Sequence, residues 1–305
     1  MGATQPAYIR TAASGALSEK IRDSWKILES CELCPRLCRV NRLAGETGIC
    51  KTPKEALVSS FNAHFGEEAP LVGRNGSGTI FFTHCNLMCC FCQNFDISHE
   101  GWGHSVNDEE LAAIMIALQD EGCHNINLVT PSHVAPQFLS ALEKAVSAGL
   151  TLPIVYNSGG YDRVETLQLL EGVVDIYMPD FKFWDSAVAE ATCDAADYPE
   201  AAKAAITEMH RQVGDLKTDD HGIARSGLLV RHLVLPEDLA GTRPIMRFLH
   251  DAVSPNTYVN IMPQYRPCGN AHQVKGLGRR ITSEEFQAAL QAAREEGITR
   301  LDRIR

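Results

Sequence analysis

The stretch Gly78-Thr79-Ile80-Phe81-Phe82-Thr83-His84-Cys85-Asn86-Leu87-Met88-Cys89-Cys90-Phe91-Cys92-Gln93-Asn94 decides how this chain is read. It starts as an apolar, β-prone run and ends in a group of cysteines. Cys85, Cys89 and Cys92 are spaced C-x3-C-x2-C, with the aromatic Phe91 just before the third. Three thiolates can hold three irons of a four-iron, four-sulfur cube and leave the fourth iron without a protein ligand. A structural metal site normally closes its coordination with a fourth side chain. The missing fourth cysteine thus points to an iron kept for an outside ligand. A zinc loop and a cluster of packed thiols are the alternatives. Neither explains the strand, the triple-cysteine loop and the later barrel pattern together.

Three further runs narrow the reading: Cys92-Gln93-Asn94, Asn125-Ile126-Asn127-Leu128-Val129-Thr130-Pro131, and Met178-Pro179-Asp180-Phe181-Lys182. With the cysteine loop they resemble the radical S-adenosylmethionine (SAM) enzymes, in an uncharacterised branch related to pyruvate formate-lyase activating enzymes. The resemblance covers residues 30–285. It implies a [4Fe-4S] cluster on Cys85, Cys89 and Cys92 whose open iron chelates the amino and carboxylate groups of SAM. One electron, from a donor such as a flavodoxin or ferredoxin, would cleave SAM to methionine and a 5′-deoxyadenosyl radical. That radical would take a hydrogen atom from the substrate, by the branch analogy a glycyl residue of a partner protein; a small metabolite or another peptide is the other substrate class. The rival from a different class is a non-catalytic iron–sulfur or zinc protein in electron transfer or regulation, with its metal fully ligated by protein.

At 305 residues the chain can bury a large core, as one big domain or one domain with an appendage. Its 45% apolar content is ordinary, and no apolar run approaches the ~18 residues of a membrane span. The first twenty residues lack a basic-then-apolar signal pattern. A net charge of -10 argues against nonspecific binding to nucleic acid or to an anionic membrane. The eleven cysteines are odd in number and tightly spaced, which reads as metal ligands in a reducing cytoplasm.

A second cysteine set precedes the first. Cys31, Cys34, Cys38 and Cys50 are spaced C-x2-C-x3-C-x11-C, with Gly45 and Gly48 available for turns. Four thiolates at these separations can close around one ion or cluster. Zinc and iron–sulfur want the same ligands; the electron that must reach the first cluster favours iron–sulfur, and four free thiols are the remaining alternative. We divide the chain into an N-terminal segment, 1–55, with this metal site, and a main domain, 56–305.

Residues 1–20 read as weakly ordered, and Ile21, Trp25 and Leu28 suggest a short helix over 21–28. Residues 56–61 are β-prone. His64-Phe65-Gly66-Glu67-Glu68 before Pro70 reads as a solvated turn, with substrate contact by Glu67 and Glu68 as the other reading. Beyond the cysteine loop, strands and helices alternate. Strands are expected at 125–129, 153–156, 173–178, 228–235 and 258–262, the first strand being the run into Cys85. Helices follow, one capped by Asn107 with Glu110 and stopped at Gly122, one with Pro136 in its first turn, and others over 164–170, 199–213 and 243–253. A last helix starts at the Thr282-Ser283-Glu284-Glu285 box. Short apolar strands of this kind suit a buried parallel sheet. Six units fall two short of a closed eightfold barrel. The resemblance implies an α/β fold, a partial (β/α)6 TIM-like barrel with an N-terminal cysteine-rich appendage; periodicity alone also allows a doubly wound open sheet.

In parallel βα folds, ligands gather at the carboxyl ends of the strands. Here those ends read Cys85; Thr130-Pro131-Ser132-His133; Asn157-Ser158; Asp180 and Lys182; Arg231 and His232; and Gln264-Tyr265-Arg266. The resemblance implies Phe91 beside the adenine, and Asp180 and Lys182, a D-x-K pattern, at the ribose and carboxylate of SAM. It also implies contacts from Asn157, Ser158, Arg231 and Gln264. One slot departs from the pattern. Where many such enzymes carry Gly-Gly-Glu, this chain has Thr130-Pro131-Ser132-His133, so hydroxyls of Thr130 and Ser132, or carbonyls, must accept the ammonium. His133 reads as a surface or supporting residue, with proton acceptor as the other reading, and Cys90 as a packed neighbour. Cys123, Cys193 and Cys268 read as isolated thiols. No catalytic residue is assigned.

Overall fold

A computed structural model describes residues 5–303. Its strands are β1 (Ala56–His64), β2 (Ser77–Phe82), β3 (His104–Val106), β4 (Ile126–Val129), β5 (Ile154–Ser158), β6 (Ile176–Pro179), β7 (Lys217–Thr218), β8 (Ala224–Leu233), β9 (Tyr258–Met262) and β10 (Arg300–Leu301). They form one sheet in the order β10-β9-β8-β6-β5-β4-β2-β1-β3, with β7 added on β8. From β2 to β10 every neighbour along that path is parallel. β1 runs antiparallel to both β2 and β3. The two ends of the sheet do not pair, so the barrel stays open.

The six expected strands are β2, β4, β5, β6, β8 and β9, and the partial α/β barrel is the fold observed. The two-residue β10 carries no period that could announce a seventh parallel strand. Helix signals act where expected. Asn107 with Glu110 and Thr282 with Glu285 form reciprocal capping boxes at Asp108–Asp120 and Ser283–Glu295. The helix expected over 243–253 is α-helical over Thr242–Phe248 and π-helical over Leu249–Val253.

Strand alternation sorts the core into two faces. Tyr156, Tyr177, Leu228 and Val230 join the main cluster beneath the helices. Val155, Ile176, Met178, Ala224 and Leu229 point the other way, into the barrel, and close around Leu71. Leu71 sits on a single helical turn, Ala69–Val72, that plugs the barrel from the amino ends of the strands. Its carbonyl accepts from Asn125 Nδ2 at 2.9 Å. The plug corrects the reading of 64–70 as a solvated turn. Glu67 and Glu68 immediately precede it and are carried inside, at 9% and 4% exposure.

The beginning of the chain is also more ordered than its composition suggests. Residues 1–4 lie outside the described residues, but Ala7–Ala13 and Ala16–Lys26 are helices. Long-range contacts explain this. Tyr8 is fully buried and donates to Leu152 O at 2.9 Å, and Thr11 Oγ1 donates to Gly172 O at 2.6 Å. Asp175 accepts from the backbone N–H groups of Ala7 and Ile154, at 2.8 and 2.9 Å.

Burial pushes the Asp175 carboxyl up to about 6, against those two amides. A carboxyl raised on folding stabilises the protein most below its unfolded value, and the benefit is lost as pH rises through the folded value. We therefore expect wild type to lose stability relative to Asp175→Asn as pH climbs from 4 to 7. Urea midpoints of the two proteins across that range measure it; a constant difference would contradict it.

Candidate active site

β2 delivers the chain into the cysteine loop at the carboxyl end of the sheet. The loop is held in an unusual backbone path: His84 and Met88, the residues before Cys85 and Cys89, adopt φ of 66° and 57°. Non-glycine residues in this region are uncommon and cluster at functional sites. Cys92 N–H donates to Cys89 O at 3.0 Å, and Leu87 N–H donates to Cys85 Sγ at 3.4 Å. Asn86 Nδ2 ties the loop to Tyr161 O at 2.6 Å.

Burial pushes the Cys85 thiol up to about 12, and Cys92 also upward. For Cys89 the first cause is a hydrogen bond with Cys193, with burial second. Burial raises any thiol in this way, and a cation placed beside these three would draw their protons off. Cys193 is thus not isolated. Its place at the end of helix Ser186–Cys193 brings it against the loop, a contact with no signature in sequence spacing.

Among the described residues seven buried polar side-chain atoms lack a partner, and four surround this loop: Thr83 Oγ1, His84 Nδ1, Asn86 Oδ1 and His133 Nδ1. Buried polar atoms are otherwise nearly always satisfied, so such a concentration marks a binding site. The thiol donor set and these orphaned atoms fit an iron–sulfur cluster with an external ligand.

Beside the loop the barrel interior carries a polar layer. Asn157, Asp180, Arg231 and Asn260 lie on the face opposite the tyrosine face, nearer the carboxyl ends than Val155, Ile176 and Leu229, while Asn127 is in register with Val155 and donates to Ser77 Oγ at 3.2 Å. Arg231 Nε donates to Asp180 Oδ1 and its Nη2 to Asn157 Oδ1, each at 2.7 Å. Lys182 Nζ donates to Asp180 Oδ2. Burial pushes the Asp180 carboxyl up, but Arg231 and Lys182 outweigh it and hold the group below its ordinary value. Lys182 acts electrostatically on both Cys89 and Cys92, so the D-x-K pair sits at the cysteine loop.

Glu68 rises from the plug, accepts from Asn260 Nδ2 at 2.8 Å and leaves Oε2 unpartnered. Burial pushes its carboxyl up, with Arg231 opposing. Glu67, Glu68, Arg231, Asn260 and Gln264 line a cavity of about 350 Å³. Gln264 is exposed there, and its carbonyl accepts from Gln93 Nε2 at 3.1 Å, which straps this segment to the cysteine loop.

The other expected residues take different places. Phe91 is buried edge-on against Phe183 and Tyr265, with centroids 5.9 and 5.8 Å away. Ser132 and Ser158 both donate to Asp162, at 2.6 and 2.5 Å, and Tyr156 donates to it at 3.0 Å. Asp162 therefore occupies both serine hydroxyls. Thr130 is half-buried in the same loop. His133 is not a surface residue. It is 1% exposed, its Nε2 donates to Thr83 O at 2.9 Å, and burial pushes it down to about 3, so it stays neutral and braces the strand end. Asn127, Asn260 and Asp162 carry no expectation from the sequence, Cys193 is expected there only as an isolated thiol, and Glu67 and Glu68 as a solvated turn with substrate contact as the other reading. For Asn127 and Asn260 a signal existed: a polar residue inside an apolar buried strand needs a reason.

Cys31, Cys34, Cys38 and Cys50 line one small pocket. Among the described residues no three Cys, His, Asp or Glu side chains converge closely enough to hold a single metal ion, either here or at the cysteine loop. No described helix is long and apolar enough to cross a membrane.

The chain is similar to the uncharacterised protein MJ0674 of Methanocaldococcus jannaschii, 34% identical over 290 residues, which cover 92% of this chain and 79% of that protein. Among solved structures it is similar to a radical SAM methyltransferase from Sphaerobacter thermophilus, with TM-score 0.50 and 15% identity over 74% of this chain and 67% of the other. A crystal structure of methylornithine synthase (PylB) matches at TM-score 0.48 and 15% identity, over 73% of this chain and 69% of that one. The methyltransferase likeness is one of fold. No family model matches the chain.

Proposed function

We propose, for a chain that belongs to the family of the Methanocaldococcus jannaschii protein MJ0674, the function of a radical SAM enzyme. One observation carries it: a C-x3-C-x2-C loop with no fourth cysteine in its motif leaves the end of β2 beside a polar layer that reaches its cysteines through Lys182. When bound, the cluster and SAM supply a 5′-deoxyadenosyl radical that abstracts hydrogen. The chain's own residues bind and orient. Cys85, Cys89 and Cys92 would hold the cluster. Lys182 and Arg231 offer fixed positive charge to a carboxylate, and Asp180 keeps both in position while accepting from a hydroxyl or ammonium. Asn157 is held by Arg231 for a polar contact. Phe183 and Tyr265 lock Phe91 in place as an apolar wall.

The cavity between Glu68 and Gln264 is the substrate side. A glycyl residue of a partner protein is the substrate reading that travels with the Asp180-x-Lys182 pattern. Such a residue would enter as extended backbone, whose amides suit a lining of carboxylates and amides. A flavodoxin or ferredoxin would supply the electron, in a cytoplasmic setting.

A second reading has its own observation. Cys193, hydrogen-bonded to Cys89, could supply a fourth ligand and close the cluster, giving a non-catalytic electron carrier. The test is anaerobic reconstitution with iron and sulfide, then dithionite and SAM. The radical reading expects 5′-deoxyadenosine and methionine in equal amounts from wild type and from Cys193→Ala. The carrier reading expects neither product, and loss of cluster iron in Cys193→Ala.

A further inference from the structure

The segment 31–51 is hard to explain by burial. It contains one short 3₁₀ turn, Arg42–Ala44, while Leu37, Leu43 and Ile49 are exposed at 39%, 38% and 48%. A long irregular loop with its apolar residues in solvent has little to hold it in one shape. Yet the shape is specific. Cys31 N–H donates to Val40 O and Arg39 N–H to Cys31 O, both at 2.9 Å, which pins the ends of a tight loop around Cys34 and Cys38. Leu37, Arg39 and Lys51 adopt φ of 43°, 55° and 58°, and each is next to a cysteine of the set. A Cβ on Gly48 would meet Cys38 Sγ at 2.7 Å, so only glycine fits there. Ile49 N–H points at Cys38 Sγ, 3.5 Å away, as amides do toward ligating sulfur.

Charge supplies a second, independent observation. Two arginines line the pocket with the four thiols. Arg42 is 1% exposed, and its guanidinium donates only to carbonyls: Pro53 O at 2.6 and 3.2 Å and His133 O at 2.8 Å. Arg36 donates to four more: Asn86 O at 3.0 Å, Leu87 O at 3.1 Å, Cys193 O at 2.7 Å and Asp194 O. Among the described residues neither pairs with a carboxylate. A buried cation without a counter-charge is costly. Four thiolates around a divalent ion, or around a cluster core of the same charge, carry a net charge of about -2, which two guanidinium groups neutralise.

We infer that Cys31, Cys34, Cys38 and Cys50 form a second thiolate-held metal centre, and that this centre latches Arg36 onto the cysteine loop. Binding exchanges the four thiol protons, released to solvent, for four sulfur–metal bonds. Arg36 lies between Cys34 and Cys38, so fixing those sulfurs fixes its guanidinium. That guanidinium bridges the loop of Cys85–Cys89 to the carboxyl end of helix Ser186–Cys193. The ligand chemistry is a thiophilic metal. The four thiols line one pocket without three of them converging on a point, a spread that suits the ligands of an iron–sulfur cluster; zinc is the other source and would draw the sulfurs together.

The test is metal analysis of full-length protein purified without oxygen. A variant with Cys85, Cys89 and Cys92 all changed to Ser should keep about one zinc, or about four irons with sulfide, per chain. Adding Cys31→Ser and Cys50→Ser should remove it. If the triple variant does not fold, Cys31→Ser with Cys50→Ser in otherwise wild-type protein should show the same decrement. No metal in the triple variant, metal that survives the added substitutions, or recovery of these cysteines as disulfides overturns the centre. The latch rests on the cluster reading of Cys85, Cys89 and Cys92, and Arg36→Gln tests it. That variant should keep the second metal but lose loop iron to a chelator about 10- to 100-fold faster. An unchanged rate overturns the latch. Failure of the SAM reaction would leave the metal count of the triple variant standing.

Discussion

We expect Cys85→Ala to abolish 5′-deoxyadenosine formation and to cost the protein about four irons per chain, while any metal held by the N-terminal cysteines stays. β2 ends at Phe82, and Thr83 and His84 turn the chain so that Cys85 emerges in the loop. A cluster on these cysteines would keep only two protein ligands once Cys85 is removed, so the expected loss is of the whole centre. A folding defect would mimic this result. Cys85 is only partly buried, and Cys→Ala at such a position costs on the order of 1 kcal/mol, small against total stability. A thermal midpoint within a few degrees of wild type stripped of its iron therefore separates cluster loss from unfolding. Retention of iron and turnover in this variant would remove Cys85 from the ligand set and the proposed function with it.

The cysteine loop, the six parallel strands and the polar strand ends were legible because each rests on local pattern. Apolar runs of strand length, capping boxes at Asn107 and Thr282, and cysteine spacing are all encoded within a few residues. What escaped is long-range. Glu67 and Glu68 look like loop residues until the Ala69–Val72 turn is seen plugging the barrel. Asp162 stands four residues beyond Ser158, but its second serine partner is Ser132, thirty positions away. Cys193 meets Cys89 across a hundred residues of chain. The helices over Ala7–Ala13 and Ala16–Lys26 hold because Tyr8 and Leu17 find a core that local composition does not reveal. His133 has the same lesson in reverse: a residue polar enough for the surface is buried because Thr83 O accepts its N–H and Arg42 caps its carbonyl.

Asp180→Ala should be the most damaging single change in the barrel interior. Asp180 is 7% exposed and accepts from both Arg231 and Lys182, whose side chains are 18% and 17% exposed. Removing it leaves two largely buried cations facing each other without the charge between them. Breaking a buried pair in this way costs about 3–5 kcal/mol. Asp180→Asn separates charge from shape, since its carbonyl oxygen can still accept from one partner. The pH dependence identifies the cause. Asp180 is held below its unfolded value, so its contribution is complete above about pH 4 and is lost as pH falls through the lower folded value. The stability gap between wild type and Asp180→Asn should therefore be full at pH 7 and shrink toward pH 2–3, where urea midpoints of the two proteins draw together. SAM affinity should fall in both variants at pH 7, because Lys182 and Arg231 lose the group that aims them. A gap that stays constant down to pH 2 would mean that packing, not charge, is what Asp180 contributes. Unchanged SAM binding would take Lys182 and Arg231 out of the cofactor site.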